Sequence, residues 1–137
     1  MTPHAGEFAR LSGKGTIATG ERLVRLRAFV AEFGIATLLK GRTTLIADRT
    51  GHVHINPTGT PALATAGTGD VLTGIVATLL AQGLSPVDAA RVGAYWHGLA
   101  GKCAAETRPA GVIAGDVADA LGRAADVPPD DDPIRIW

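Results

Sequence analysis

Asp70 stands at the junction of two unlike stretches. Ahead of it runs Asn56-Pro-Thr-Gly-Thr-Pro-Ala-Leu-Ala-Thr-Ala-Gly-Thr-Gly69, small residues that build no regular element. Behind it, Val71, Leu72, Ile75, Val76, Leu79 and Leu80 recur at helical spacing on one broad face. A glycine-rich loop that opens a buried helix is an anion site. The first N–H groups of a helix have no partner within it and carry the positive end of its dipole. Gly67 and Gly69 allow positive φ and close approach of a ligand, so the amides of Ala66, Gly67, Thr68 and Gly69 form the expected phosphate cradle. A carboxylate at that mouth has two chemistries. As a cap or first-turn acid, Asp70 would stabilise its helix by about 0.5–2 kcal/mol. As a general base, it would take the proton of a substrate hydroxyl held beside the phosphates. A cap needs one residue, and the long run of small residues before Asp70 favours the base.

Other polar residues weigh less. Lys40 ends the apolar run Ile35–Leu39 and precedes Gly41, Arg42, Thr43 and Thr44. A lysine there usually ends a strand in water, but ligands of α/β folds gather beyond the carboxyl ends of parallel strands, and backbone and hydroxyl groups follow it. Gly13-Lys-Gly-Thr16 is not a phosphate loop, because the Gly-Lys-Ser/Thr order and a preceding strand are both missing. His52 and His54 share a strand face, yet no third ligand lies at metal-binding spacing, so they read as surface histidines and no protein metal cage is expected. His97 reads as a packed or capping histidine outside the site. Cys103, the one cysteine, lies in an apolar helical stretch and reads as a buried structural thiol of a reducing compartment.

The elements that must position these residues follow from periodicity and punctuation. Helices are expected at Glu7–Leu11, at Glu21–Phe33 with Leu23, Leu26, Val30 and Phe33 inward, after Asp70 to Leu80, at Pro86–Ala105, and at Ile113–Leu121 with Asp116 as a cap. Gly34 ends the second helix, and the pair Ser85-Pro86 starts the fourth. Strands are expected at Ile35–Lys40, within Gly41–Asp48, and at His52–Asn56 after a hairpin turn. Ala90, Ala94, Gly98 and Gly101 form a small-residue stripe that lets a neighbouring element come close. The acidic, proline-rich 128–133 reads as an extended tail, and Ile134–Trp137 as an edge strand packing back.

At 137 residues, with 46% hydrophobic and 19% charged residues, the chain is one globular domain at most. Thirteen basic and thirteen acidic side chains leave no net charge, which argues against nucleic acid or an anionic membrane as partner. No apolar run approaches the ~20 residues of a membrane span, and no signal peptide is visible, so a cytoplasmic protein is expected.

Ala64-Thr-Ala-Gly-Thr-Gly-Asp-Val-Leu-Thr-Gly74, Asn56-Pro-Thr-Gly-Thr-Pro61, Thr2-Pro-His-Ala-Gly-Glu7, Lys40-Gly-Arg-Thr-Thr44 and His97-Gly-Leu-Ala-Gly101 together resemble the ADP/ATP-dependent NAD(P)H-hydrate dehydratase family of the ribokinase-like superfamily. The resemblance runs from Thr2 to about Asp119. It implies an α/β three-layer sandwich of which residues 1–127 are the C-terminal part, since only three strands are found. The implied reaction is ADP- or ATP-driven dehydration of the S-form of NADH hydrate or NADPH hydrate, with magnesium on the nucleotide. By resemblance, His4 and Asp70 contact the hydrated dinucleotide, Asp70 being catalytic, while Lys40, Gly41, Arg42, Thr43, Thr44 and Gly69 line the AMP moiety. It also implies partners: an N-terminal portion of the domain, an NAD(P)H-hydrate epimerase domain, and further copies of the chain. Rival readings are a ribokinase-like small-molecule kinase, which shares the Gly-Thr-Gly-Asp loop, and an inactive nucleotide-binding fragment that associates through an exposed sheet edge.

Overall fold

Leu38 and Leu39 are adjacent in sequence and buried on opposite sides of one sheet, as the two-residue period of a strand requires. The computed structural model describes residues 1–127, so the proline-rich tail and the strand expected at Ile134–Trp137 lie outside the described residues. Within them, the order is α1 (Ala5–Ser12), α2 (Arg22–Phe33), β1 (Thr37–Leu39), β2 (Thr44–Ala47), β3 (Val53–Asn56), α3 (Thr68–Ala81), α4 (Pro86–Thr107), α5 (Ala114–Asp119) and α6 (Leu121–Ala125).

The three strands form an antiparallel meander, β1-β2-β3, with Leu38 opposite Ile46 and Leu39 opposite Leu45. Leu38 and Ile46 pack against Leu72, Ile75, Val76 and Leu79 of α3 and the alanines of α4. Leu39, Leu45 and Ala47 pack on the other side against Phe8 of α1 and Leu26, Phe29 and Val30 of α2. Helices therefore cover both faces, giving the expected three-layer α/β sandwich. A third cluster joins Leu99 and Cys103 of α4 to Val112, Val117, Ala120 and Ala124, and the Trp96 indole donates to the Leu121 carbonyl at 2.9 Å.

Among the described residues one parallel contact exists. Leu38 N–H donates to the Met1 carbonyl and Lys40 N–H to the Pro3 carbonyl, at 2.9 and 2.8 Å. The isolated bridge pairing His4 with Lys40 is likewise parallel. Residues 1–4 thus lie alongside β1, and the carboxyl ends of these two parallel segments bring His4 and Lys40 together.

Several expectations need correction. Phe29, not Leu23 or Phe33, lies on the buried face of α2; Leu23 and Phe33 are 38% and 49% exposed. Phe29 is held by Phe8, ring centroids 4.9 Å apart, a tertiary contact that the helical period alone does not choose. Ile35 is exposed and precedes β1, and His52 precedes β3. Leu80 is exposed on α3. Ala120 breaks the last helical stretch into α5 and α6. The outer face of α3, which carries Thr73, Gly74, Ala77 and Leu80, is exposed and, beyond the first-turn Asp70, uncharged.

Candidate functional site

The helix α3 begins at Thr68, three residues earlier than its apolar period indicates, so Thr68, Gly69 and Asp70 are its first turn rather than loop. Gly67 caps it at φ 86°, a left-handed conformation that disfavours any side chain. Gly69 is helical, and its role is close approach: a Cβ there would lie 3.0 Å from Lys40 Nζ. The Thr68 hydroxyl, buried, lies 2.7 Å from the Leu63 carbonyl and 2.9 Å from that of Thr65. Its proton therefore ties the preceding loop onto the helix start.

The position of Lys40 is the informative one. Its ammonium, leaving β1, hangs over the amino end of α3, where the dipole is already positive. Glu7 offers partial compensation, with Oε2 3.8 Å from Nζ. A cation against a helix N-terminus is electrostatically favourable only when an anion lies between them. Beside it opens a cavity of about 1080 Å³ lined by Lys40–Thr44, the loop of Pro57–Thr65, Thr68 and Gly69, with Ala94 and His97 among its walls. That volume suits a nucleotide-sized ligand.

Of the residues expected from sequence, His4, Lys40, Gly41, Arg42, Thr43, Thr44, Thr68 and Gly69 line this cavity. Ala66, Gly67 and Asp70 do not. Asp70 is exposed at the third position of α3, without an ion-pair partner among the described residues. It shares a helix face with Thr73, whose hydroxyl oxygen is 3.1 Å from that of Thr2. The carboxylate therefore points outward on the side of the first residues. His4 is the N-cap of α1: its Nδ1 accepts from the Gly6 and Glu7 amides at 3.1 and 3.2 Å, and Glu7 Oε2 accepts from the His4 amide at 2.7 Å. An Nδ1 that accepts twice bears no proton, so the neutral ring carries its hydrogen on Nε2, facing Glu7 Oε1 at 3.4 Å. His4 Nε2–H is thus the ring donor beside the cavity. Glu7 is held below the usual carboxylate range, chiefly by the His4 amide and then by Lys40.

His97, set aside from the sequence, belongs to the site. It is 6% exposed, lines the cavity, and its Nε2 is buried without a partner. Burial holds its pKa below the ordinary histidine value and the Lys40 charge adds to this, while the Thr68 backbone opposes it. The sequence signal was the adjacent Gly98: the small-residue stripe marks where the Asn56–Leu63 loop rests on α4, and so which helix face the cavity uses. Because the folded pKa lies below the unfolded one (about 6.5), the unfolded chain binds the proton first as pH falls. Stability is complete above about pH 6.5 and declines below it. Replacing His97 with Gln should flatten the fall of Tm below about pH 6.5, leaving the part that His54, also lowered chiefly by burial, contributes. An unchanged slope in the variant would place the effect elsewhere.

No group of three metal-ligating side chains occurs among the described residues.

A family model described as NAD(P)H-hydrate dehydratase matches residues 1–123. The chain is 50% identical over 123 residues to the bifunctional NAD(P)H-hydrate repair enzyme Nnr of Moorella thermoacetica, covering 88% of this chain and 23% of that protein. It is 43% identical over 124 residues to the ADP-dependent (S)-NAD(P)H-hydrate dehydratase of Neisseria meningitidis, covering 88% of this chain and 42% of that one. Among solved structures, the Bacillus subtilis ADP/ATP-dependent NAD(P)H-hydrate dehydratase, co-crystallised with ATP and Mg2+, superposes with a TM-score of 0.82 at 34% identity, over 90% of this chain and 46% of that one. The chain therefore spans less than half the length of these relatives. A lysine over a glycine-opened helix, a threonine-rich turn beside it and a sequence match from end to end of the sandwich lead to one assignment: the chain belongs to the NAD(P)H-hydrate dehydratase family.

Proposed function

We propose that the chain forms the nucleotide-binding part of an ADP- or ATP-dependent dehydratase that returns the S-form of NADH hydrate or NADPH hydrate to NADH or NADPH. The observation that carries this reading is the Lys40 ammonium held against the N-terminus of α3 at the wall of a nucleotide-sized cavity. The terminal phosphate of ADP or ATP sits between Nζ and the Gly69 N–H, the first-turn amide of α3 that no acceptor among the described residues engages, and the turn Lys40–Thr44 takes the AMP portion. Asp70 removes the proton of the ring hydroxyl, whose oxygen attacks that phosphorus as the bridging P–O bond breaks, expelling AMP from ADP or ADP from ATP. The C–O bond of the resulting ester then breaks, phosphate leaves, and loss of the neighbouring ring proton restores the double bond. The protein's part is positioning and stabilisation of developing phosphoryl charge. Magnesium would arrive on the phosphates, with water as its other ligands, as suits an ion that needs few protein donors.

Asp70 and the bare, uncharged face of α3 look away from the cavity, so the dinucleotide side of the site is completed by the region the relatives carry outside the matched part. An epimerase domain and further copies of the chain are additional partners on this reading. The test mixes hydrated NADH, ADP and magnesium with the chain, alone and with the N-terminal half of the Bacillus subtilis relative supplied as a separate polypeptide. Recovery of dihydronicotinamide absorbance is expected in the second mixture. If a folded chain neither binds ADP nor restores absorbance in either mixture, the proposal fails.

Lys40→Met gives a second check. A charge-assisted hydrogen bond contributes about 1.5–3 kcal/mol, so calorimetry should find ADP bound roughly 10–100-fold more weakly. Affinity within twofold of the unmodified chain would move the phosphate elsewhere.

A further inference from the structure

We propose that Arg22 is a positioning residue for the nucleotide: its guanidinium holds the Lys40–Thr43 turn so that the Gly41 N–H is presented to the cavity as a donor. This rests on the nucleotide reading above. Arg22 opens α2, on the layer opposite α3 and α4, and reaches under the turn. Its Nη1 donates to the Thr43 carbonyl at 2.9 Å, and its Nη2 donates to the carbonyls of Leu39 and Lys40 at 3.1 and 3.2 Å. One planar cation thereby gathers three peptide oxygens that curl around it.

Gly41 completes the clamp. A Cβ at this position would lie 2.6 Å from Nη2, 2.9 Å from Cζ and 3.0 Å from Nη1, so the backbone rests directly on the guanidinium and a side chain there would have to push it off the carbonyls it holds. Trans peptide planarity then fixes the opposite edge of each peptide, and the described residues contain no cis bond. The Leu39–Lys40 peptide demonstrates the rule. Its carbonyl faces Arg22, while its N–H reaches the Pro3 carbonyl at 2.8 Å. In the Lys40–Gly41 peptide, the carbonyl again faces Arg22. The Gly41 N–H must point away, and no group among the described residues accepts it. Gly41 lines the cavity, so this free donor awaits an acceptor oxygen of the bound nucleotide. The same grip fixes the backbone from which Lys40 reaches α3. A lysine in place of Arg22 keeps the charge but cannot fork to three carbonyls.

Two readouts test the role in the whole chain: ADP affinity by calorimetry well below the melting temperature, and hydrogen exchange of amides 41–44 without ligand. Arg22→Met should weaken ADP at least tenfold and Arg22→Lys nearly as much. Exchange in the turn should rise at least tenfold while α4 keeps its protection. Gly41→Ala should weaken ADP in the unmodified background, yet by less than twofold more in the Arg22→Met background, where the atoms its Cβ meets are gone. A purely structural arginine would lower Tm and leave the affinity of the folded protein intact, which overturns the proposal. Additive losses in the double variant overturn it too. An unmodified chain that fails to bind ADP sinks the nucleotide reading instead, and exchange of the turn in Arg22→Lys, which keeps the stem packed, then decides whether the clamp exists.

Discussion

Gly98→Ala should cost the chain on the order of 3–5 kcal/mol, a large share of the roughly 5–15 kcal/mol that holds a domain together. The added Cβ would lie 1.9 Å from the Thr58 hydroxyl oxygen, 2.5 Å from its Cβ and 2.7 Å from its carbonyl oxygen. Neither partner can yield cheaply. Thr58, 2% exposed, donates its hydroxyl towards the Tyr95 carbonyl and Asn56 Oδ1, both at 3.0 Å. Asn56 Nδ2 in turn donates to the Ala94 carbonyl at 3.1 Å. Moving α4 away from Thr58 would strand these buried groups, and each unsatisfied one costs about 1–3 kcal/mol. Gly101 repeats the contact one turn on, where a Cβ would fall 2.6 Å from Leu63 Cδ2. The loop so docked is a wall of the cavity, so ADP binding should fall with stability. Gly74 gives the control of opposite sign. It is helical and exposed, and a Cβ there meets nothing within 4 Å. Gly74→Ala should therefore stabilise this chain by about 1 kcal/mol. Urea midpoints decide both; a Gly98→Ala midpoint equal to that of the unmodified chain would mean that the loop does not rest on α4 as described.

That contact shows what sequence reveals and what it withholds. Gly98 and Gly101 announce a close approach, but not by what: the helix α3 does pack on Ala90 and Ala94 of the same stripe, whereas at Gly98 and Gly101 the segment from Thr58 to Leu63, which ends in a short 3-10 turn, arrives. Signals whose cause is local were legible at their own position. Gly34 takes φ 66° at the end of α2, and the Ser85 hydroxyl oxygen accepts the Asp88 N–H ahead of Pro86. The apolar run that ends in Leu38 and Leu39 was read as a buried strand, and helices do cover both faces of its sheet. Residues whose role depends on a distant partner were not legible. Phe29 is buried because Phe8 meets it, and residues 1–4 are too few to show a strand period although they pair with β1. His97 gains meaning only when Thr68 and Lys40 converge on it. Asp70 was read at the correct helix end, yet the chain's own cavity does not include it.

Asp70→Asn should therefore separate binding from chemistry. Turnover in the mixture with the relative's N-terminal half is expected to fall about 10²–10⁴-fold, the usual contribution of a positioned base. ADP affinity should stay level or rise, because a negative charge near the phosphate seat is lost. Stability should drop by no more than about 1 kcal/mol, the worth of an acid in an exposed first turn. The three effects differ in sign and size because the carboxylate is committed to nothing else: it is exposed, and no ion pair among the described residues engages it. Asparagine keeps its shape while removing the basic oxygen. A residue that only complements the helix dipole would show the small stability loss with turnover intact, and that result would reduce Asp70 to a first-turn acid. Loss of ADP binding along with turnover would instead mean that Asp70 shapes the phosphate seat. The helix start would then be a binding element alone, and the base would have to come from another side chain.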